Sequence, residues 1–287
     1  MNSISLNANA KINLGLDVTG LRDDGYHLVR MIMQEIDLHD DIVIEKTDSD
    51  GIELILKNTD LPADQSNLAY RAAALLKEAF SLPAGVRISL IKNIPVAAGL
   101  AGGSTDAAAV LKGMNDLFSL GLSSEELCEC GLRLGADVPF CILGGTALSE
   151  GIGEILTPLS AMPDCHLLLV KPSVGVSTAQ VYHDLDAVEN PKHPDIDSQL
   201  SALKEGDLSS LCAHMENILE TVTIPLHPLI SEIKKDLLSA GAIQSLMSGS
   251  GPTVFAVYTN EEIAKEAQLC LQRKYPNFRC ILTKPAI

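Results

Sequence analysis

From Ile4 to Val18 every even position holds an apolar side chain: Ile4, Leu6, Ala8, Ala10, Ile12, Leu14, Leu16 and Val18. The odd positions between them hold Ser, Asn, Lys, Gly or Asp. A repeat of two is the signature of extended chain with one buried face, so the fold must begin with a long strand. Lys11 and Asn13 fall on the polar face, where a lysine is ordinarily solvated. Arg22-Asp23-Asp24-Gly25 reads as a turn, and further strands are expected over 28–37, 41–46, 51–57 and 86–91. A helix interrupts them from Asn67 to Phe80, with Leu68, Ala72, Leu75, Leu76 and Ala79 on its apolar side.

The strand-rich start gives way to helices. An Ala-rich helix follows a glycine-rich loop and runs to about Phe118, with Ser104 as its expected N-cap. Ser123 and Glu126 form a capping-box pattern, and Gly135 stands where a helix-ending glycine belongs. Strand-like runs recur at 144–150, 165–170 and on either side of 248–252, with helical patterns over 198–220, 227–240 and 260–274 and an exposed connection over 186–198. The absence of regular strand–helix alternation favours an α+β fold over a doubly wound parallel sheet. With 287 residues and about 150 residues to a domain as a loose guide, two domains are expected, 1–157 and 158–287. Apolar residues make up 46% of the chain, yet Trp is absent and Phe and Tyr number 5 each, so the core must be mostly aliphatic.

A formal charge of −16 argues against coating nucleic acid or an anionic membrane, both of which attract basic surfaces. It leaves room for an anionic small molecule, because exposed charges are screened beyond about 10 Å. Seven scattered cysteines without a CxxC pair suit a reduced, cytoplasmic chain rather than a zinc site or a disulfide framework. The N-terminal residues do not have the charged-then-apolar pattern of a signal peptide. No apolar run approaches the roughly 18 residues of a spanning helix.

Five local patterns carry chemistry, and each also has an ordinary explanation. The segment Pro95-Val-Ala-Ala-Gly-Leu-Ala-Gly-Gly-Ser-Thr105 allows close backbone approach at its glycines and feeds a helix N-terminus, which suits a phosphate. It is neither a Walker A loop nor a G-x-G-x-x-G fingerprint, and on spacing alone it is equally a turn that leads a strand into a helix. Asp137, after Gly135 and before Pro139, reads alone as an N-capping aspartate. Lys11 reads as a solvated lysine, Tyr26-His27 as a packed tyrosine beside a surface histidine, and Ser248-Gly-Ser-Gly251 as a flexible hairpin link.

Their order along the chain is more specific than any one of them. Ala10-Lys-Ile-Asn-Leu14, Gly25-Tyr-His27, Pro95 through Ser104, Leu134-Gly-Ala-Asp-Val-Pro139 and Ser248-Gly-Ser-Gly-Pro252 together resemble the successive motifs of the kinase superfamily named after galactokinase, homoserine kinase, mevalonate kinase and phosphomevalonate kinase (GHMP). Gly25-Tyr-His27 and Leu134–Pro139 resemble most the family within it that acts on a cytidine-diphosphate-linked methylerythritol in the non-mevalonate route to isoprenoids. The resemblance implies two domains with ATP and substrate in the cleft between them, and transfer of the γ-phosphoryl group to a 2-hydroxyl. It implies Asp137 as general base, Lys11 as its cationic partner and Asn13 as a substrate-orienting amide. Tyr26 and His27 fall on cytosine-recognising positions and Tyr182 on one that stacks the base. The ATP-binding set is Lys92, Pro95, Val96, Ala97, Ala98, Gly99, Leu100, Ala101, Gly102, Gly103, Ser104 and Thr105. Mg²⁺ is implied with ATP, without an assigned protein ligand. The expected partners are small molecules, with neither nucleic acid nor membrane, for a monomer or weak homodimer. Many members carry Met-Gly where this chain has Val96-Ala97, and Ser-Ser at Ser104-Thr105; the replacements keep small or hydroxyl side chains.

Overall fold

A computed structural model of the chain describes residues 2–286. It divides into two compact units, neither a continuous stretch. The first takes the chain to Ala10, then Leu38–Val96 and Ala101–Gly144; the second takes Lys11–Asp37, Ala97–Leu100 and the chain from Gly145. The boundary expected at 157/158 is therefore not where the contacts part. The reason is the length of the first two strands, β1 (Ser3–Leu21) and β2 (His27–Thr47), each of which lends residues to both units. They pair with each other. The turn joining them is closed by the Arg22 N–H donating to the Tyr26 carbonyl at 2.8 Å, with Gly25 at a φ of +86°.

In the first unit, residues 41–47 of β2 pair antiparallel with β4 (Gly85–Ile91), which pairs parallel with β3 (Ile52–Lys57). A parallel pair needs a crossover, supplied by α1 (Leu68–Ala79), whose N-cap Asn67 side chain accepts from the Ala69 N–H. Strands expected at 28–37 and 41–46 are one strand. In the gap between the two expected ranges, Asp40 is wholly buried and its carboxylate is hydrogen-bonded. The Ala-rich α2 (Gly102–Phe118) is buried on most sides, as a helix apolar nearly all round must be. A Cβ on its Gly113 would sit 2.6 Å from Ile44 Cδ1 and 2.8 Å from Leu6 Cδ1, so a side chain there would have to push both ends aside. The short α3 (Ser124–Leu132) has the expected capping box between Ser123 and Glu126. A six-residue helix α4 (Val138–Leu143) follows.

In the second unit, residues 29–34 of β2 pair antiparallel with β5 (Thr146–Gly151), which pairs with β6 (Ile155–Pro158). A separate antiparallel sheet has the order β10-β7-β9-β8, built from β7 (His166–Lys171), β8 (Gln244–Met247), β9 (Val254–Tyr258) and β10 (Arg279–Thr283). Its central strands are buried on both faces, which is why Leu167–Val170 and Val254–Tyr258 read as unbroken apolar runs. The helices are α5 (Thr178–Leu185), α6 (Ile196–Glu205), α7 (Leu208–His214), α8 (Glu220–Leu226), α9 (Leu229–Ser239) and α10 (Glu261–Lys274). The helix expected over 198–220 is broken at Gly206, whose φ of +69° ends α6, and Asp207 caps α7. The fold is α+β. All seven cysteines are free thiols. Among the described residues no helix is long and apolar enough to cross a membrane.

Candidate functional site

The glycine loop's C-terminal part belongs to the first unit. Helix α2 begins at Gly102, and its N-cap is Ala101, a left-handed residue at a φ of 56° that makes no side-chain cap. Ser104, expected to be the N-cap, is instead the helix's third residue. The capping role fails because the left-handed turn at Ala101 starts the helix earlier. The first turn, Gly102-Gly103-Ser104, thus lacks a capping side chain at the positive end of a 17-residue helix, an arrangement suited to an anion. Thr105 does not join it: its hydroxyl donates to the Asn9 carbonyl at 2.6 Å, and the residue is buried. Thr105 fastens the helix to β1. Pro95, Ala98 and Leu100 are also buried, so at those positions the backbone is what the loop has to offer.

Asp137 stands at the N-cap position of α4 with helical dihedrals (φ −79°, ψ −15°) and makes no capping hydrogen bond. The Val138 N–H goes to the Gly135 carbonyl at 3.1 Å, and Pro139 has none to offer. The ordinary explanation of Asp137 is thereby removed, and its half-buried carboxylate serves something other than the helix end. Ser104 Oγ lies 4.0 Å from where a Gly135 Cβ would be, so the first turn of α2 and the turn leading to Asp137 are neighbours. A Cβ on Gly131 would meet Val138 Cγ1 at 2.8 Å, so a glycine in α3 lets α4 pack this close.

In the second unit the polar face of β1 is not solvated. The alternation of burial holds as far as Asn9, after which every residue from Ala10 to Val18 is buried. Lys11 is 5% exposed and Asn13 0%. The Lys11 ammonium donates to Asn13 Oδ1 at 2.7 Å, and the Lys11 N–H donates to the Leu100 carbonyl at 3.2 Å. A buried ammonium is retained only where it has partners, so the solvated-lysine explanation also fails.

Residues 97–100 of the glycine loop belong to this second unit and meet the Ser248–Gly251 turn. Ser248 Oγ donates to the Gly99 carbonyl at 2.9 Å. That turn is no flexible link. Asn217 Nδ2 donates to the carbonyls of Met247 and Gly249, each at 2.8 Å, and Thr223 Oγ1 to that of Ser250. Ala97 sits at a φ of +49°, where an L side chain is strained and glycine is not. Because Ala97 is exposed, replacing it by glycine gives up no packing. Ala97→Gly is expected to raise stability by about 1 kcal/mol, seen as a higher midpoint in thermal or urea unfolding.

Tyr26, His27 and Tyr182 also lie in the second unit. The His27 and Tyr182 rings are 5.1 Å apart at 41°, while Tyr26 is exposed. His27 Nε2 lies 2.8 Å from the carboxylate of Asp186, which ends α5. A carboxylate only accepts, so Nε2 carries the proton. Sequence reasoning missed Asp186 inside an acidic, Pro-rich connection, and nothing in its spacing marks it. Asn217 likewise gave no signal. Asp40 and Asp106 were missed as well, although an aspartate one residue past Ser104-Thr105 and a lysine before the loop were a hint. The Lys92 ammonium, expected to meet ATP, donates to both of them and is buried.

Comparisons with known proteins cover the same segments of the chain. The profile described as GHMP kinases N terminal domain matches residues 67–145, spanning α1 to α4 and the whole glycine loop. That described as GHMP kinases C terminal matches residues 199–277, which include the Ser248–Gly251 turn. A 4-diphosphocytidyl-2-C-methyl-D-erythritol kinase from Lachnoclostridium phytofermentans is 53% identical over 93% of this chain and 92% of its own. The chain belongs to the 4-diphosphocytidyl-2-C-methyl-D-erythritol kinase family. The family member from Acetivibrio thermocellus is 51% identical, with 99% of each chain covered. A crystal structure of 4-(cytidine 5'-diphospho)-2C-methyl-D-erythritol kinase matches the fold with a TM-score of 0.82 at 34% identity, covering 99% of this chain and 100% of that one. Membership of this kinase family extends over both units and over all five motifs.

Proposed function

We propose that the chain transfers the γ-phosphoryl group of ATP to the 2-hydroxyl of 4-diphosphocytidyl-2-C-methyl-D-erythritol, a step of the non-mevalonate route to isoprenoids. The observation that carries this reading is the uncapped Gly102-Gly103-Ser104 turn of α2 beside the turn that presents a non-capping Asp137. The first suits a phosphate and the second an alcohol proton. Asp137 accepts the proton of the substrate hydroxyl as the oxygen attacks the γ-phosphorus, and ADP leaves. Lys11 supplies positive charge to the phosphoryl group in transit, and Asn13 orients both the lysine and the alcohol. With Nε2 committed to Asp186, His27 keeps Nδ1 to accept from the amino group of cytosine, and Tyr182 and Tyr26 cover the ring.

Mg²⁺ would accompany the nucleotide. Among the described residues no three His, Cys, Asp or Glu side chains gather to hold a metal. The free thiols suit work in the cytoplasm.

Labelled ATP offered with a panel of alcohols tests the reading. Transfer to the cytidylated methylerythritol should exceed that to mevalonate or homoserine by about 10³-fold or more in kcat/KM, because a site built for a base's polar edge rejects substrates without it. Preference for an acceptor lacking cytidine would refute it.

A further inference from the structure

The most deeply buried charges of the first unit lie just behind the glycine loop. The side chains of Lys92, Asp40 and Asp106 are 3%, 0% and 4% exposed. The Lys92 ammonium donates to Asp40, to Asp106 Oδ2 at 2.6 Å and, more weakly, to the Gly102 carbonyl at 3.4 Å. Its three N–H donors are all engaged, leaving none for a nucleotide. Asp40's other oxygen accepts the backbone N–H groups of Asn93 at 2.5 Å and Ile94 at 2.8 Å, the residues that lead into Pro95. Asp106 is the fifth residue of α2. Three side chains therefore tie the middle of β2, the approach to the loop and the first turns of the helix that follows it.

Stability alone does not account for this cluster. Replacing a buried ion pair by well-packed apolar residues is often neutral or stabilising. What charged, hydrogen-bonded side chains add is direction: each donor fixes where its acceptor sits. One ammonium cannot neutralise two carboxylates in a dry interior. Asp40, with three donors, is the better supported anion, whereas Asp106 Oδ1 has no partner. Burial, outweighing the attraction of Lys92, pushes the Asp106 carboxyl up to about 8.

We propose that Asp40, Lys92 and Asp106 form a positioning unit for ATP. Without touching the nucleotide, they hold the approach to the glycine loop and the first turn of α2 at the spacing the phosphates require. This rests on reading that loop as the ATP site, and it moves Lys92 from contacting ATP to building the place where ATP binds. Asp106→Leu removes the acceptor while keeping the branching of the side chain, whereas Asp106→Asn keeps an acceptor and matches the neutral carboxyl. ATP binding is measured by calorimetry without alcohol, and steady-state constants are measured for both substrates.

For Asp106→Leu the expected result is ATP affinity weakened by about tenfold or more, with the KM for the alcohol within about twofold of the parent. Asp106→Asn should recover most of the ATP affinity. Unchanged ATP affinity in Asp106→Leu, or equal losses for both substrates, would overturn the proposal. If Asp106→Leu does not fold, the pair Asp40→Asn with Lys92→Gln, which removes both charges together, should show the same selective loss. Its absence there would also overturn the proposal. A parent chain that binds no ATP at all would instead remove the reading of the loop on which this rests.

Discussion

Replacing Asp137 by alanine is expected to lower kcat by about 10³-fold, within the 10²–10⁴ that a positioned general base contributes, while the Kd for ATP stays within about twofold. The fall in kcat should exceed what any change in melting temperature explains. An aspartate that capped α4 would behave in the opposite way, costing about 1 kcal/mol of stability on truncation and leaving turnover nearly intact. The structure speaks against the capping role, because the Asp137 side chain makes no capping hydrogen bond and its backbone is already helical. Turnover, ATP calorimetry and thermal unfolding on the same variant check all three expectations. Near-normal kcat would take the proton-accepting role away from Asp137.

The second large effect is expected at Gly99. Its φ of +73° already disfavours a side chain, and a Cβ there would lie 2.2 Å from the Ser248 carbonyl oxygen and 3.2 Å from that of Gly251. Neither obstacle is a flexible side-chain end. Both are backbone, and the Ser248 turn is held by Asn217 and Thr223. Gly99→Ala should therefore cost about 3 kcal/mol or more, the sum of left-handed strain and a contact that only backbone movement can relieve. Gly206→Ala is the control, since Gly206 has a similar φ of +69° but nothing within 4 Å of its would-be Cβ. It should cost only about 1 kcal/mol. Equal losses in urea unfolding would show that conformation, not the Ser248 carbonyl, is what requires glycine at position 99.

Much of the framework was legible because it rests on local rules. The repeat of two in β1, the Asn67 cap and the Ser123–Glu126 box are each decided within a few residues. What escaped depends on distant chain. Asp40 lay in the gap between two expected strands, and its partners, Lys92, Asn93 and Ile94, come some fifty residues later. Lys11 and Asn13 looked solvated because nothing in β1 itself reveals that its polar face is covered. Ser104 was taken for a cap because a left-handed alanine at 101 is not something composition suggests. The short elements α4, α5, β6 and β10 left too few residues for any periodicity to stand out. For the candidate site, residue types and their order were readable, while the hydrogen bonds that disqualify Thr105 as a phosphate ligand and tie Asp186 to His27 were not.

Because β1 and β2 each belong partly to one unit and partly to the other, no single cut in the gene releases either half as a continuous segment. A fragment ending at residue 157 would take Lys11–Asp37 away from the sheet and helices of 165–283 with which they form one unit. Recombination that joins the front of one such kinase to the back of another must therefore replace strands inside a finished core. New acceptor preferences in this lineage would then arise by substitution at individual positions rather than by exchange of modules.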